Sequence, residues 1–278
     1  MPSLSTSIVS AIKLARRVLP AGRARELPNH FGAYLAKVSW LKPVWHEFQP
    51  GLWMELNIRD LIQETILLEG VWDPILSDFI RSTLRPGDVF VDVGANAGYF
   101  ALLAAQCVGA SGRVLAIEPN PSVATQLLKN IQRSRLRNVI TEEVACSDTL
   151  EPLVLYLHDD SNSGRASVSR GNANGVEEVE VQSTTFDRLV NKHNLQRIRL
   201  VKIDVEGAES LVLKGMVNTM QELQPLIVLE LESELLRAFS SSVEAVVKFL
   251  EGFNYSVTSL GGHANFICVP ASQYGPPP

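Results

Sequence analysis

The sequence predicts a doubly wound α/β fold with a mostly parallel sheet, on two observations. Short apolar runs typical of buried strands alternate along the chain with segments that have the periodicity of amphipathic helices. Several of these runs also end in an acidic residue, at the sheet edge where such folds bind their ligands. With 278 residues, 46% of them hydrophobic, the chain can form one large α/β domain and an N-terminal extension.

The elements follow in order after residue 70. One helix is expected at 72–84, begun by Asp73-Pro74, a second directly after the first strand, and a third from Pro121 onward. Further helices are expected at 187–193, between 204 and 226, and at 241–251. Strands are expected at 89–93, 113–118, 138–144, 200–204 and 226–231. Two further pairs of short strands are expected: 153–158 with 178–182 forms a paired insertion, and 255–258 with 265–269 closes the sheet as a hairpin.

Four regions divide the chain. Residues 1–69 are interpreted as an N-terminal helical cap or lid, 70–270 as the main domain, 159–178 as an insertion loop within it, and 271–278 as a disordered tail. Residues 4–19 have the pattern of an amphipathic helix with one basic side. This segment could pack on its own domain, cover the active site or make weak contact with a membrane surface.

Composition narrows the possible functions. A formal net charge of −5 and the absence of a basic run with interleaved aromatic residues argue against a nucleic-acid partner. Three widely spaced cysteines indicate neither a zinc site nor a disulfide framework, which fits a cytoplasmic protein. No stretch reaches the roughly 18 apolar residues of a membrane span.

The most informative segment is the run 89–100, in which a β-branched strand ends at a glycine loop that opens a helix. A dinucleotide fingerprint needs G-x-G-x-x-G, but Asn96 and Tyr99 occupy its second and third glycine positions. The carboxylate of Asp92 would also repel a diphosphate, whereas it would attract the ammonium and sulfonium groups of S-adenosylmethionine. The loop, with Gly94 and Gly98, therefore favours S-adenosylmethionine over NAD.

The next strand ends in Glu118, about 20 residues beyond the glycine loop. A carboxylate in this position can accept hydrogen bonds from both ribose hydroxyls. Glu118 is therefore a candidate cofactor ligand, and the alternative is a solvated residue at the end of a strand.

The strongest catalytic candidate is the segment 202–209, Lys-Ile-Asp-Val-Glu-Gly-Ala-Glu. Asp204 ends a buried strand and should face the same crevice as Asp92 and Glu118. Lys202 and Glu206 are the other catalytic candidates in this segment. Glu209 could instead complement the dipole of the helix that follows.

These motifs, together with Glu118-Pro119-Asn120-Pro121 and Ala145-Cys146-Ser147-Asp148, resemble the FkbM family of S-adenosylmethionine-dependent methyltransferases over residues 70–269. The resemblance implies a class I methyltransferase, Rossmann-like fold: a seven-stranded, mostly parallel sheet with helices on both faces and an antiparallel final strand. It also implies O-methylation of a hydroxyl on a sugar, glycolipid, polysaccharide or natural product.

The resemblance further implies roles for individual residues. Asp92, Gly94 and Gly98, with Asn96 in the same loop, would line the methionine portion of the cofactor, Glu118 the ribose, and Ser147 or Asp148 the adenine edge. Cys146 departs from the family, which usually has a small or apolar residue there.

Methyl transfer to a hydroxyl requires alignment and removal of one proton. Asp204 is the first candidate for the base, Glu206 and Glu230 are second, and His263 is a competing base in a predicted turn. Asp204 and Glu230 could alternatively hold Mg²⁺ or Mn²⁺, because both ions prefer oxygen ligands. A cofactor-binding scaffold without activity and a nicotinamide-dependent oxidoreductase remain the alternative functions. The acceptor and the oligomeric state are not encoded in any pattern that we identify.

Overall fold

The computed structural model describes residues 43–57, 60–157, 166–167, 177–261 and 264–273. Its strands are β1 (Val44–Gln49), β2 (Leu52–Leu56), β3 (Val89–Val93), β4 (Arg113–Ile117), β5 (Val139–Glu142), β6 (Ala145–Cys146), β7 (Leu153–Leu157), β8 (Ala166–Ser167), β9 (Glu177–Val181), β10 (Ser183–Thr184), β11 (Leu200–Ile203), β12 (Leu226–Glu230), β13 (Tyr255–Ser259) and β14 (Asn265–Pro270). Its α-helices are α1 (Leu61–Glu69), α2 (Pro74–Thr83), α3 (Tyr99–Val108), α4 (Pro121–Arg133), α5 (Phe186–Lys192), α6 (Glu209–Lys214), α7 (Val217–Glu222), α8 (Ser233–Ala238) and α9 (Val243–Glu251).

Seven strands form the central sheet in the order β13-β14-β12-β11-β3-β4-β5. The five strands from β12 to β5 are mutually parallel, and β14 runs antiparallel to both of its neighbours. The chain order reverses between β3 and β11, which is the switch point where open α/β sheets bind ligands. The predicted doubly wound fold, its mostly parallel sheet and its antiparallel final strand are confirmed.

Alternate residues of the central strands pack into two different cores. Phe90 on β3 belongs to a core that includes helices α2, α3 and α4, whereas its neighbour Val91 belongs to a core that includes α5, α6 and α9. Strand side chains alternate between the two faces of a sheet, so helices on both faces bury most residues of the central strands. This explains why these strands read in the sequence as continuous apolar runs.

Most helices begin where the sequence predicts. Helix α2 begins at Pro74, with the Asp73 side chain accepting the Leu76 N–H at 3.0 Å. Helix α4 begins at Pro121, with Asn120 as its N-cap. Proline in the first turn loses nothing by lacking an N–H, which is why these starts are readable in the sequence. The helix expected between β11 and β12 is two short helices, α6 and α7, and α8 was not predicted.

The cap was predicted to be helical, but its described part also contains two strands that the sequence analysis missed. Strands β1 and β2 form an antiparallel hairpin around Pro50-Gly51, and α1 follows with Asp60 as its N-cap. Side chains of Phe48, Leu52 and Met54 lie in the same core as α3 and α4. The amphipathic segment 4–19 lies outside the described residues, and the boundary between cap and domain stays a prediction.

The insertion after β6 begins and ends with strands of a three-stranded sheet, β8-β7-β9. Strand β7 pairs antiparallel with both β8 and β9, which confirms the predicted pairing of 153–158 with 178–182. Most of the 159–178 loop lies outside the described residues, so its role as a lid stays a prediction. No helix in the described ranges has the length and apolar character needed to cross a membrane.

Candidate active site

A cavity of about 350 Å³ opens at the carboxyl edge of the sheet, above the switch point. This volume lies at the lower end of the range for small-molecule sites. Residues on β3, β4, β11 and β12, or immediately after them, contribute to its wall. Those at the strand ends are Val93, Gly94, Asn96, Ile117, Glu118, Pro119, Asp204, Val205, Glu206 and Glu230.

The glycine loop lies so close to the backbone of Asp204 that no larger residue can replace Gly94. Its φ is 78°, and a Cβ built on it would lie 1.8 Å from the backbone oxygen of Asp204. The N–H groups of Gly94 and Ala95 both donate to the Ile117 carbonyl at 2.9 Å, which fixes the loop against the end of β4. The close approach of β3 and β11 therefore places the glycine loop beside the catalytic candidates.

Gly98 serves packing. Its φ is 98°, and a Cβ there would lie 2.4 Å from Leu127 Cδ1 on α4. Gly98 itself does not line the cavity, so it lets α4 approach the loop from outside.

Glu118 is buried in the cavity wall and accepts two backbone hydrogen bonds. Its Oε2 accepts the Asn96 N–H at 2.8 Å and its Oε1 accepts the Asn120 N–H at 2.9 Å. Burial raises the pKa of Glu118 to about 7, although both N–H groups favour the ionised form. Each oxygen keeps a second lone pair, so the carboxylate can still accept hydrogen bonds from a ligand in the cavity.

Behind the cavity, Lys202 forms a buried ion-pair cluster. Lys202 on β11 and Asp92 on β3 are register partners, so their side chains leave the same face of the sheet. Lys202 Nζ lies 3.4 Å from Asp92 Oδ1 and 3.1 Å from Asp204 Oδ2. The same ammonium lies 5.3 Å from the ring centroid of Phe100. Lys202 thus connects the buried Asp92 to Asp204, which faces the cavity.

Burial disfavours the charged form of both Asp92 and Lys202, but it decides the shift in pKa only for Asp92. Burial raises the pKa of Asp92 to about 6, although the charge of Lys202 opposes the shift. Burial alone would lower the pKa of Lys202, but Asp204 and Asp92 outweigh it and raise that pKa above its usual range. Asp92 is 1% exposed and Lys202 is its charged partner, so Asp92 depends on this ion pair.

Asp204 and Glu230 form a hydrogen-bonded carboxyl pair at the cavity wall. They occupy matching positions on adjacent parallel strands, because Ile203 and Leu229 are register partners. The charge of Asp204, followed by burial, raises the pKa of Glu230 to about 10. For Asp204, burial is outweighed by Lys202 and by the hydrogen bonds from Glu230 and Lys202, so its pKa is lowered. At neutral pH, Asp204 is therefore ionised and Glu230 carries the proton.

The remaining acids of the 202–209 segment have separate positions. Glu206 lines the cavity from a backbone with φ of 54°. Glu209 is 1% exposed, and its Oε1 accepts the N–H groups of Val205 and Gly207 at 3.0 and 3.1 Å. Burial raises the pKa of Glu209 to about 7, against these backbone bonds. Glu209, the first residue of α6, thus binds the backbone of the loop that precedes the helix.

The side predicted to hold adenine is formed by the segment after β5 and by β7. Ser147 and Cys146 line it, together with the apolar side chains of Leu153 and Leu155. Asp148 does not line the cavity, and its side chain accepts a long bond from Ser147 Oγ at 3.4 Å. The thiol of Cys146 is buried, which raises its pKa. It therefore acts as a small apolar surface in the cavity wall.

The opposite wall was missed by the sequence analysis. Asp73 and Asn265 are both buried, and Asn265 Nδ2 donates to Asp73 Oδ2 at 2.7 Å. Asn265 is also the register partner of Glu230. The remaining missed residues of this wall are Leu61, Ile62, Trp72, Leu76 and Glu232. No local signal could have found them, because they meet only when α1 and α2 fold over the sheet.

The predicted site residues therefore divide into two groups. Those that line the cavity are Gly94, Asn96, Glu118, Ser147, Asp204, Glu206 and Glu230. Asp92 and Lys202 lie behind the wall, Gly98 lies beneath the loop, and Asp148 lies to one side. Their assignment to cofactor binding or catalysis stays a prediction.

Two further predictions concern a bound metal ion and His263 as a competing base. In the described ranges, no group of three or more histidine, cysteine or acidic side chains is placed to hold a metal ion. Asp204 is bonded to Glu230 and to Lys202, so the hypothesis of Mg²⁺ or Mn²⁺ finds no support. His263, the competing base, lies outside the described residues.

One family model matches more than half of the chain, and two curated relatives are methyltransferases. A family model described as the methyltransferase FkbM domain matches residues 92–257. The hexuronic acid methyltransferase AglP of Haloferax volcanii is 31% identical over 160 residues, which cover 54% of this chain and 60% of that protein. The 31-O-demethyl-FK506 methyltransferase FkbM of Streptomyces tacrolimicus is 30% identical over 159 residues, covering 48% and 60%. The match thus spans about three fifths of the length of these relatives.

Among solved structures, a methyltransferase FkbM from Methylobacillus flagellatus is 13% identical. The alignment covers 89% of this chain and 60% of that chain, with a TM-score of 0.46.

Proposed function

This chain belongs to the FkbM methyltransferase domain family, and from that premise we propose that it is an S-adenosylmethionine-dependent O-methyltransferase. Its acceptor is a hydroxyl group on a sugar, glycolipid, polysaccharide or other natural product. The observation that carries the proposal is the single cavity that joins Glu118 and the glycine loop to the Asp204–Glu230 pair. Glu118, predicted to bind the cofactor, and Asp204, predicted to accept the proton, both line this one space.

The residues present fit the cofactor. Gly94 and Asn96 would hold the methionine portion, Glu118 the ribose hydroxyls, and Ser147 the adenine edge, beside an apolar wall that includes Cys146 and Leu155. When bound, S-adenosylmethionine supplies a methyl group that is already electrophilic because it is attached to a sulfonium sulfur. The protein must then position the acceptor and accept one proton.

Asp204 is placed to accept that proton. It is ionised, it lines the cavity, and about a third of its side chain (32%) is exposed. The bonds from Lys202 and Glu230 fix the orientation of its carboxylate while lowering its basicity. Proton acceptance therefore comes late, as formation of the new C–O bond acidifies the hydroxyl oxygen. The proton passes from the hydroxyl to Asp204 and then to solvent.

The experiment is a transfer assay with S-adenosylmethionine labelled at the methyl group. The acceptor panel contains a neutral glycoside, a hexuronic acid and a macrolide alcohol, and mass spectrometry locates the added methyl group. We expect label on an ether oxygen of at least one acceptor class. Label on a nitrogen or a carboxylate alone would contradict O-methylation of a hydroxyl. Tight cofactor binding without transfer to any acceptor would favour the scaffold alternative.

A further inference from the structure

The N-terminal hairpin is attached to the domain by a row of polar side chains. Gln126, Asn130 and Ser134 lie four residues apart at one side of α4 and its C-terminal end. They bond to the backbone of β2 at the edge that β1 does not pair with. The Trp53 N–H donates to Ser134 Oγ at 2.8 Å, the Glu55 N–H donates to Asn130 Oδ1 at 2.8 Å, and Gln126 Nε2 donates to the Glu55 carbonyl at 2.5 Å. This row substitutes for a neighbouring strand.

Asn130 differs from the other two because it also reaches the glycine loop. Its Nδ2 donates to the Ala97 carbonyl at 2.8 Å. Ala97 lies between Asn96, whose N–H binds Glu118, and Gly98, which packs on Leu127. One amide therefore bonds the hairpin through its oxygen and the cofactor loop through its nitrogen.

Because Asn130 is buried, the loss of either hydrogen bond costs free energy. The residue is 0% exposed, so water cannot replace a lost partner. A buried carbonyl without a donor is costly, which ties the position of Ala97 to the position of the Asn130 side chain. That position depends in turn on where β2 lies.

We infer that Asn130 is a positioning residue that couples the docking of the N-terminal hairpin to the binding of S-adenosylmethionine. The hairpin residues 44–56 lie outside the span of the matched family model, which begins at Asp92. This coupling rests on the proposed function, because the ligand of the loop is taken to be the cofactor. It is reciprocal: a docked hairpin strengthens cofactor binding, and bound cofactor stabilises the docked hairpin.

The two halves of the amide can be separated by substitution. Asn130→Asp keeps an oxygen for the Glu55 N–H but removes the donor to Ala97. Ser134→Ala is the matched control, since it removes a bond to the hairpin at Trp53 and leaves the loop bond intact. We expect calorimetry to give about ten-fold weaker binding of S-adenosylhomocysteine in Asn130→Asp, and a change below about two-fold in Ser134→Ala.

Hydrogen exchange tests the reciprocal effect, first in the wild-type protein. S-adenosylhomocysteine should slow exchange at the amides of Trp53 and Glu55, while that of Val257 on the far edge of the sheet changes little. In Asn130→Asp the slowing at the hairpin should disappear. A merely structural role would lower the melting temperature without changing these ligand-dependent differences.

The outcomes separate the two proposals. If wild type binds S-adenosylhomocysteine and its hairpin amides do not respond, the coupling is contradicted and the proposed function stands. The same holds if Asn130→Asp binds as tightly as wild type. A folded wild-type protein that binds no S-adenosylhomocysteine contradicts both.

Discussion

Glu118 and Glu230 occupy comparable places in the fold and are held in opposite ways. Each lies at the carboxyl end of a central strand, lines the same cavity, and has a raised pKa. Burial is the main cause for Glu118, which two backbone N–H groups bind directly. The charge of Asp204 is the main cause for Glu230, whose pKa of about 10 keeps it protonated at neutral pH. The comparison shows that a glutamate can be a hydrogen-bond acceptor at one end of the cavity and a protonated partner of Asp204 at the other.

The largest expected effect is on proton transfer. Asp204→Asn should lower the rate of methyl transfer by about 10²- to 10⁴-fold, because the amide cannot accept a proton. Binding of S-adenosylhomocysteine should change by less than about two-fold. Both are measured on an acceptor identified with the labelled methyl donor, and exposed Asp78→Asn is the control. Full activity in Asp204→Asn would shift the role of base to Glu206 or His263.

A second substitution tests the buried ion pairs behind Glu230. Lys202→Met should lower the free energy of unfolding by about 3 kcal/mol at pH 7, since it leaves Asp92 buried without its counter-charge. Without Lys202, the pKa of Asp92 in the folded protein rises further, so the folded state binds more protons than the unfolded one. The deficit should therefore shrink as pH falls toward 5.

The control for this experiment is the double variant Lys202→Met/Asp92→Asn. Urea denaturation should show recovery of most of the lost stability at pH 7. A deficit that is unchanged in the double variant would mean that Lys202 acts by packing, for example on Phe100.

The comparison of the two glutamates is tested most directly by the same substitution at both. Glu118→Gln should weaken binding of S-adenosylhomocysteine about ten-fold, because the amide NH₂ would face the N–H of Asn96 or Asn120. Glu230→Gln should change it by less than about two-fold, since protonated Glu230 is already neutral. Calorimetry at pH 7.5 measures both. Equal losses would show that the two ends of the cavity are not specialised.

The smallest expected effect is a pH dependence of cofactor affinity. Glu118 has a pKa of about 7, and its ionised form has only acceptors, whereas its protonated form presents an O–H donor at one oxygen. Affinity for S-adenosylhomocysteine should therefore increase about three-fold or more from pH 6 to pH 8. The increase should be absent in Glu118→Gln. A fall in affinity over this range would contradict the assignment of Glu118 as an acceptor.

The sequence predicts the parts of the site that depend on strand ends. Glu118, Asp204 and Glu230 follow or close apolar runs, and parallel strands bring their ends to one edge of the sheet. It could not predict that Asp92 would lie behind the wall. That placement follows from the register of β3 and β11, which pairs Asp92 with Lys202.

The parts that were missed depend on long-range packing or on a weak local signal. Asp73 and Asn265 are 192 positions apart in the chain and meet only in the folded protein. The β1–β2 hairpin did carry a signal, the alternation of buried Leu52, Met54 and Leu56 after Pro50-Gly51. That period of two is short, and tryptophans on its other face obscure the change in polarity.

The central claim is that this cavity binds S-adenosylmethionine, and calorimetric titration with S-adenosylhomocysteine and, separately, with NAD tests it most directly. We predict saturable binding of S-adenosylhomocysteine at one site per chain, weakened in Glu118→Gln, and no binding of NAD. Binding of NAD alone, or of neither compound to folded protein free of co-purified ligand, would contradict the account.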